Sequence, residues 1–361
     1  MKETRRIEFF FEIFRIVLAL AIAFGFTFIC IAFMTDDPLE ALKAFALGPF
    51  SNMRRFGQMM GKFIPYLLVG SGMCFIYAAN RFNMGGEGVY LLSGCIVTFI
   101  GVNIGDSGIP HVLLVVLLMA VGVAIGAGAG LIPALMREKL GVNETVISIM
   151  LNYALMYLST FLVKTLMVDP NISYLGSKPL PDNMKLTRLV PRTNIHSGLF
   201  VGLLAVVVVG VIFYRTSLGY SIRICGSNPQ FAKASGINMT SSLVLAQVIG
   251  LGLCGLGGAV DIMGIYDRYV WAGFTNYGFD GMLVAVLARK NPWLVPLGSF
   301  LLAYMRTGAS ILNYSTELPF EFVDIMQAIL VLLIAGEHFM AGFKNKIIFS
   351  ASKAKNKKEA A

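Results

Sequence analysis

The sequence predicts an all-α polytopic membrane protein of about ten transmembrane helices in two inverted five-helix repeats. Three observations predict it. Apolar residues make up 57% of the chain and charged residues 14%, with mean hydropathy +0.74. A soluble domain runs near about 45–50% apolar and 25% charged, so a chain of 361 residues has too much apolar surface to hide from water. The apolar runs are long enough for helices, whereas a transmembrane barrel would show ~10-residue alternating segments. Finally, one short pattern occurs twice: Asn83-Met84-Gly85-Gly86-Glu87-Gly88 returns as Asn276-Tyr277-Gly278-Phe279-Asp280-Gly281.

Taken in order, apolar runs separated by polar breaks fall at 16–34, 63–79, 83–102, 112–136, 146–168, 198–214, 243–264, 276–288, 292–311 and 322–336. The first follows Lys2, Arg5, Arg6 and Arg15. It is longer than a signal-peptide core of roughly 7–15 residues and no A-x-A site follows, so it reads as an uncleaved first span. Residues 36–62 read as a long outer loop carrying a surface-lying amphipathic helix, with Asp37 as its cap and Pro38 in its first turn. Gly122, Gly126 and Gly130 form a doubled G-x-x-x-G in the fourth run, where another helix can approach closely. Residues 169–197 carry Pro170, Pro179, Pro181 and Pro191 without helical period and read as an irregular outer cap. The whole chain, 1–361, reads as a single transmembrane domain: first repeat 16–168, second repeat 198–336, basic tail 344–361.

Orientation follows from Lys and Arg. With the N-terminus inside, cytoplasmic segments and the tail hold eighteen of them against nine outside. Both termini are therefore expected in the cytoplasm of a cell membrane. Lys164 and Arg306 fall near outer ends of spans, where long side chains snorkel. Asn83 then opens the third run at the inner side and Asn276 the eighth at the outer side, so the two copies run in opposite directions. Both precede apolar runs too short for a straight crossing of about 20 residues. Paired interruptions of this kind mark a substrate path.

The net charge of +9 gathers at segment ends and in the tail, which points to anionic headgroups of the bilayer and not to nucleic acid. Cys30, Cys74, Cys95, Cys225 and Cys254 show no C-x-x-C spacing and read as core residues, with no metal site. His111, His196 and His338 are scattered, and no G-x-x-x-x-G-K-[ST] occurs. No catalytic constellation or cofactor site is expected, and the chain carries no nucleotide-hydrolysing motif of its own.

The cytoplasmic loop 215–242 carries a local helix signal: Asn228 can cap, Pro229 suits the first position, and Gly236 can end the helix left-handed. About two turns of helix need a partner to pack on. For the path, helix N-termini at 85–88 and 278–281 present N–H groups to a polar ligand. Glu87 and Asp280 either touch substrate or cap their own helices. Asn83, Gly85, Gly86, Gly88, Asn152, Tyr153, Gln247, Asn276, Gly278 and Gly281 complete the path candidates.

These residues resemble the membrane permease subunits of bacterial ATP-binding-cassette (ABC) importers, in the nucleoside and simple-sugar branch of the branched-chain amino acid and ribose permease superfamily. Phe82 to Gly88 looks like the branch's F-N-I-G-G-E-G signature. Lys139-Leu140-Gly141-Val142-Asn143-Glu144, followed by Ile149-Met150-Leu151-Asn152-Tyr153, looks like its K-x-G-x-N-E…I-M-L-N-Y segment. Residues 219–237 resemble its ATPase-docking loop, and Gly278-Phe279-Asp280-Gly281 to Asn291-Pro292 resembles its G-F-x-G…R-x-N-P segment. Ile224, Phe231 and Lys290 depart from that pattern, as does the basic tail.

The resemblance implies a transport subunit that moves a small polar solute by alternating access. Its partners would be cytoplasmic ATP-binding subunits, a second permease chain and an extracytoplasmic solute-binding protein. Gly219, Arg223, Gly226, Asn228, Pro229, Ala232, Lys233 and Gly236 would carry the coupling. A nucleoside is the expected cargo, with a simple sugar or riboflavin as alternatives. From another class, a proton-coupled transporter would use Glu87, Asp261 and Asp280 as relays and would run without ATP.

Overall fold

The computed structural model describes residues 37–105 and 108–315, with Gly25, Phe28, Ile29, Asp324, Ile325 and Ala328. Apart from those single residues, the expected spans 16–34 and 322–336 and the tail 344–361 lie outside the described residues. The chain divides into two units, Met1–Gly48 with Gly308–Ala361, and Pro49–Thr307. In the first, α1 (Pro38–Leu47) begins with proline in its first turn, as expected, but the Asp37 side chain makes no capping hydrogen bond. Gly308 lies against the Phe45 carbonyl, where a side chain would not fit.

The second unit starts with α2 (Met53–Ala78), which corrects the expected boundary at residue 63. Asn52 accepts the Arg55 N–H at 2.8 Å and nucleates the helix early. Arg54, Arg55, Gln58 and Lys62 interrupt the apolar run while Gly57, Met59 and Gly61 on the same turns are buried. The polar interruptions hid the helix. There follow α3 (Gly86–Ile104), α4 (His111–Leu140), α5 (Glu144–Leu162, continued by a π turn over Val163–Met167), α6 (Gly198–Arg215), α7 (Ser217–Ser227), α8 (Pro229–Ala234), α9 (Met239–Ile265), α10 (Tyr277–Leu287) and α11 (Val295–Ser315). Among the described residues, seven helices are long and apolar enough to cross a membrane, and α10, with 11 residues, is a shorter apolar helix.

Glycine sets the closest packing. Gly122, Gly126 and Gly130 of α4 lie against Gly255, Leu251 and Gln247 of α9, so the two helices run antiparallel with backbones in contact. That is the packing role expected of the doubled G-x-x-x-G. At the end of α4, Gly141 is left-handed (φ +67°) and its N–H donates to the Arg137 carbonyl, while the Val142 N–H turns back to Met136. Asn143 then caps α5 through the Thr145 N–H at 3.0 Å.

Registers place the two helices opened by the motif copies; α3, with 19 residues, is long enough to cross a membrane, which corrects the expectation that both runs are too short. Helix α9 is antiparallel to α2, with Gly250 on Gly72 and Gly257 on Val69. Helix α3 runs with α9, with Gly86 near Cys254 and Tyr90 on Gly258. Helix α10 runs with α2, pairing Asp280 with Tyr66 and Val284 with Gly70. Hence α3 and α10 begin at one point and run apart.

Residues 168–197 are irregular, as expected, with one 3-10 turn at Asp182–Met184. Their backbone is held: N–H groups of Ser177, Leu180 and Leu186 donate to the carbonyls of Tyr269, Asp267 and Met263. His196 is buried beneath this segment and accepts the Gly198 N–H through Nδ1 at 3.2 Å. Burial, with Arg188 nearby, lowers its pKa to about 4, so it is neutral in the folded chain.

Candidate functional site

The two copies of the repeated motif meet face to face. The Cα of Gly278 lies 3.9 Å from the place a Cβ on Gly86 would take, and a side chain on Gly278 would strike the backbone of Glu87. Only glycine permits that approach. Asn276, the residue before α10, is left-handed (φ +67°), which turns the chain into the helix.

Glu87 crosses this junction. Its carboxylate accepts the N–H groups of Thr275 (2.5 Å), Asn276 (2.8 Å) and Gly278 (2.6 Å) and the Thr275 hydroxyl (2.9 Å). It therefore caps α10, the helix opened by the other copy, and not its own helix as the sequence suggested. The electrostatics are those of any anion at a helix N-terminus, where unsatisfied N–H groups and the macrodipole favour it.

Asp280 does something different. It takes two bonds of 2.8 Å from Nε and Nη2 of Arg306 and one of 2.6 Å from the Tyr66 hydroxyl, all buried. Arg306 is thus an internal ion-pair partner 7% exposed, which corrects the expectation that it snorkels. Lys62, expected in a loop, donates from α2 to the Arg306 carbonyl at 3.3 Å.

The amides join the same core. Asn83 accepts the Gly85 N–H and donates to Gln247, both at 2.8 Å. Asn152 accepts the Gly88 N–H at 2.8 Å and donates to the Met84 carbonyl at 2.6 Å. The N–H groups of Gly85, Gly88 and Gly278 that the sequence offered to a ligand are therefore already held by Asn83, Asn152 and Glu87. Gly281 packs on Val69, and Tyr153 is half exposed, its ring edge-on to Phe274 at 5.2 Å. One feature escaped sequence reasoning: Tyr90, Trp271, Tyr266, Tyr269 and Tyr277 form a ring cluster beside the junction. Four of its members fall in the stretch 266–277, but at no regular spacing, and the fifth, Tyr90, comes from α3, so no local motif marks the cluster.

The coupling candidates form a second site. Asn228 caps α8 through the Phe231 N–H at 3.0 Å, Pro229 opens it, and Gly236 follows it left-handed (φ +73°). The helix is six residues, a little shorter than expected. An unexpected helix, α7, precedes it, capped by Thr216 on the Gly219 N–H. Gly226 lies on the Ala78 carbonyl and Gly219 on the carbonyls of Ile212 and Phe213, so side chains there would force α7 off α2 and α6. Arg223 sits over the rings of Phe213 and Tyr214 at 5.3 and 5.0 Å. Ala232 is buried, while Phe231 and Lys233 face out.

At the opposite end of α2, a cavity of about 720 Å³ is lined by Met53, Arg54, Gln58, Arg188, Pro191, Arg192, Thr193 and Asn194. Its lining includes three arginines and no acidic residue, and Arg192 is held left-handed (φ +60°).

Residues 56–335 match the family described as branched-chain amino acid transport system, permease component. A nucleoside ABC transporter permease protein of Lactococcus lactis is 27% identical over 89% of this chain and 90% of its own length. A guanosine ABC transporter permease protein of Bacillus subtilis is 26% identical over 81% of this chain and 84% of its own. A glucose ABC transporter permease protein of Haloferax volcanii is 26% identical over 92% and 90%. No solved structure matches the chain.

Proposed function

The chain belongs to the branched-chain amino acid transport system permease-component family, and from that membership, as the permease subunit of an ABC importer, we propose that it carries a nucleoside across the cell membrane. The observation that carries this reading is the alignment, over four-fifths or more of the chain, with permeases named for nucleosides and for guanosine. The glucose permease aligned over 92% of the chain supplies the competing cargo.

In this reading the chain has ten spans in two inverted five-helix repeats, with both termini cytoplasmic. The antiparallel start of α3 and α10 at one point supports that symmetry. The path candidates line or brace the route, and the glycines set how closely its walls approach. ATP is bound and hydrolysed by separate cytoplasmic subunits that seat on α7 and α8, where Phe231 supplies an exposed ring. A second permease chain completes the path. The cleft of Arg54, Arg188 and Arg192 receives acidic side chains of an extracytoplasmic solute-binding protein. Coupling requires that ATP and cargo each favour one of two states.

Reconstitution of the permease with its ATPases and binding protein in liposomes tests the reading. ATP-dependent accumulation of radiolabelled guanosine is expected. Uptake of glucose but of no nucleoside would refute the cargo, and uptake driven by a pH gradient without ATP would refute the coupling.

A further inference from the structure

Three side chains beside the motif junction bury polar atoms with no hydrogen-bond partner: both carboxylate oxygens of Asp261, the Tyr90 hydroxyl and the Trp271 indole N–H. Asp261 and Tyr90 are fully buried and Trp271 is 8% exposed. Buried polar groups are nearly always bonded, and an unpaired buried carboxylate is among the costliest arrangements in a folded chain. Finding several such atoms together is a property of the place and not of one side chain.

Their placement is defined. On α9, Gly257 and Gly258 lie four and three residues before Asp261, so the three share a face. Gly258 abuts the Tyr90 carbonyl, and a Cβ on Gly257 would come within 3.4 Å of the Tyr90 ring. That face therefore looks at Tyr90. The Tyr90 hydroxyl approaches Asp261 and the Trp271 N–H approaches Tyr266, each in a contact that falls outside hydrogen-bond geometry, so these are the neighbours a ligand would displace. The Tyr90 ring centroid lies 5.3 Å from Trp271 and 5.3 Å from Tyr277, tilted by 30° and 32°. The groups that bear electrostatically on Asp261 are tyrosines, while Arg306 is committed to Asp280.

The chemistry of these atoms selects a ligand. Aromatic faces stack on a flat ring. Two free oxygens of one carboxylate accept two neighbouring N–H donors, and an indole N–H donates to a carbonyl or ring nitrogen. Among the common bases, guanine alone presents a ring N–H and an exocyclic amino group side by side on adjacent atoms. Resting on the nucleoside reading above, we infer that Asp261, Tyr90 and Trp271 form the element that reads the base, and that they select guanine. The carboxylate accepts from the two adjacent N–H groups, the rings take the base plane, and Trp271 donates to an acceptor on the base. The rings touch one another in this structure, so admission of a base requires Trp271, carried on the helix-free segment 266–276, to draw back from Tyr90.

The experiment compares guanosine with inosine, which keeps the ring N–H and lacks the amino group, in the reconstituted complete transporter. Wild-type protein is expected to prefer guanosine by about tenfold or more. In Asp261→Asn that preference is expected to fall to within about twofold, with a melting temperature equal to or above wild type because the unpaired charge is gone. Trp271→Phe and Tyr90→Phe keep the rings and are expected to lower guanosine uptake severalfold while the protein remains folded. Guanosine uptake in the wild type, with an unchanged guanosine-to-inosine ratio in all three variants, would overturn this inference alone. A wild type that carries no nucleoside would overturn the proposed cargo and the inference with it.

Discussion

Replacing Glu87 by glutamine isolates the bond that joins the two motif copies. One oxygen accepts from the Thr275 N–H, the Thr275 hydroxyl and the Asn276 N–H, and the other accepts from Gly278. Glutamine can keep its carbonyl toward Thr275 and Asn276, but its NH₂ then faces the Gly278 N–H. One charged hydrogen bond is lost, at about 1.5–3 kcal/mol, and a buried N–H is left without a partner. Loss of the anion at the α10 N-terminus adds up to about 2 kcal/mol. The sum is roughly 1.5–5 kcal/mol, and Glu87→Ala costs more because every acceptor goes. At roughly 2 °C per kcal/mol for a chain of this size, Glu87→Gln lowers the melting temperature by about 3–10 °C. The assay is thermal unfolding of detergent-purified protein, read by a thiol-reactive dye that gains access to the buried Cys74, Cys95 and Cys254. A glutamine variant that melts within about 1 °C of wild type would refute the capping argument.

Arg306→Met alone strips both guanidinium bonds from the buried Asp280, leaving the Tyr66 hydroxyl and the charge of Lys62, and is expected to cost about 3–5 kcal/mol, whereas Arg306→Met with Asp280→Leu costs far less; a double-mutant cycle on melting temperature measures the difference. Gly126→Val drives a side chain into the Leu251 backbone and is expected to abolish folded protein, while Gly128→Ala, with open space around it, leaves the melting temperature unchanged. Lys233→Glu and Gly236→Pro alter the exposed end of α8 and the left-handed residue after it; loss of ATPase co-purification from a folded permease is expected, and intact association would show that docking lies elsewhere. His196 has a folded-state pKa near 4, below its unfolded value of about 6.5. The unfolded chain therefore binds the proton first, so stability is fully present above pH 6.5 and falls as pH drops toward 4. His196→Gln is expected to flatten that limb of a melting curve measured against pH.

Much of the fold could be read along the chain because its signals are local. Apolar runs marked the spans, Asn228, Pro229 and Gly236 marked a two-turn helix, and Gly122, Gly126 and Gly130 marked a helix–helix seam. The errors came where partners lie far apart in sequence. Arg306 resembled a snorkelling residue because nothing nearby announces Asp280, and Glu87 resembled a cap for its own helix because the N–H groups it meets lie in the other half. The early turns of α2 were hidden by Arg54, Arg55 and Lys62, which break the apolar run between buried glycines. Asp261, Tyr90 and Trp271 carry no shared spacing, and only packing of α9 and the segment after it against α3 brings them together.

The capping of α10 by Glu87 also bears on how the protein is made. Its partner Thr275 lies 188 residues further on, which at synthesis rates of about 5–20 residues per second is a wait of roughly 10–40 s. Until residues 275–278 emerge, the carboxylate of α3 has only water or the insertion machinery to satisfy it. The first half of the chain therefore cannot mature as a finished module. Its third helix settles last, when the second half delivers the backbone it was shaped to hold.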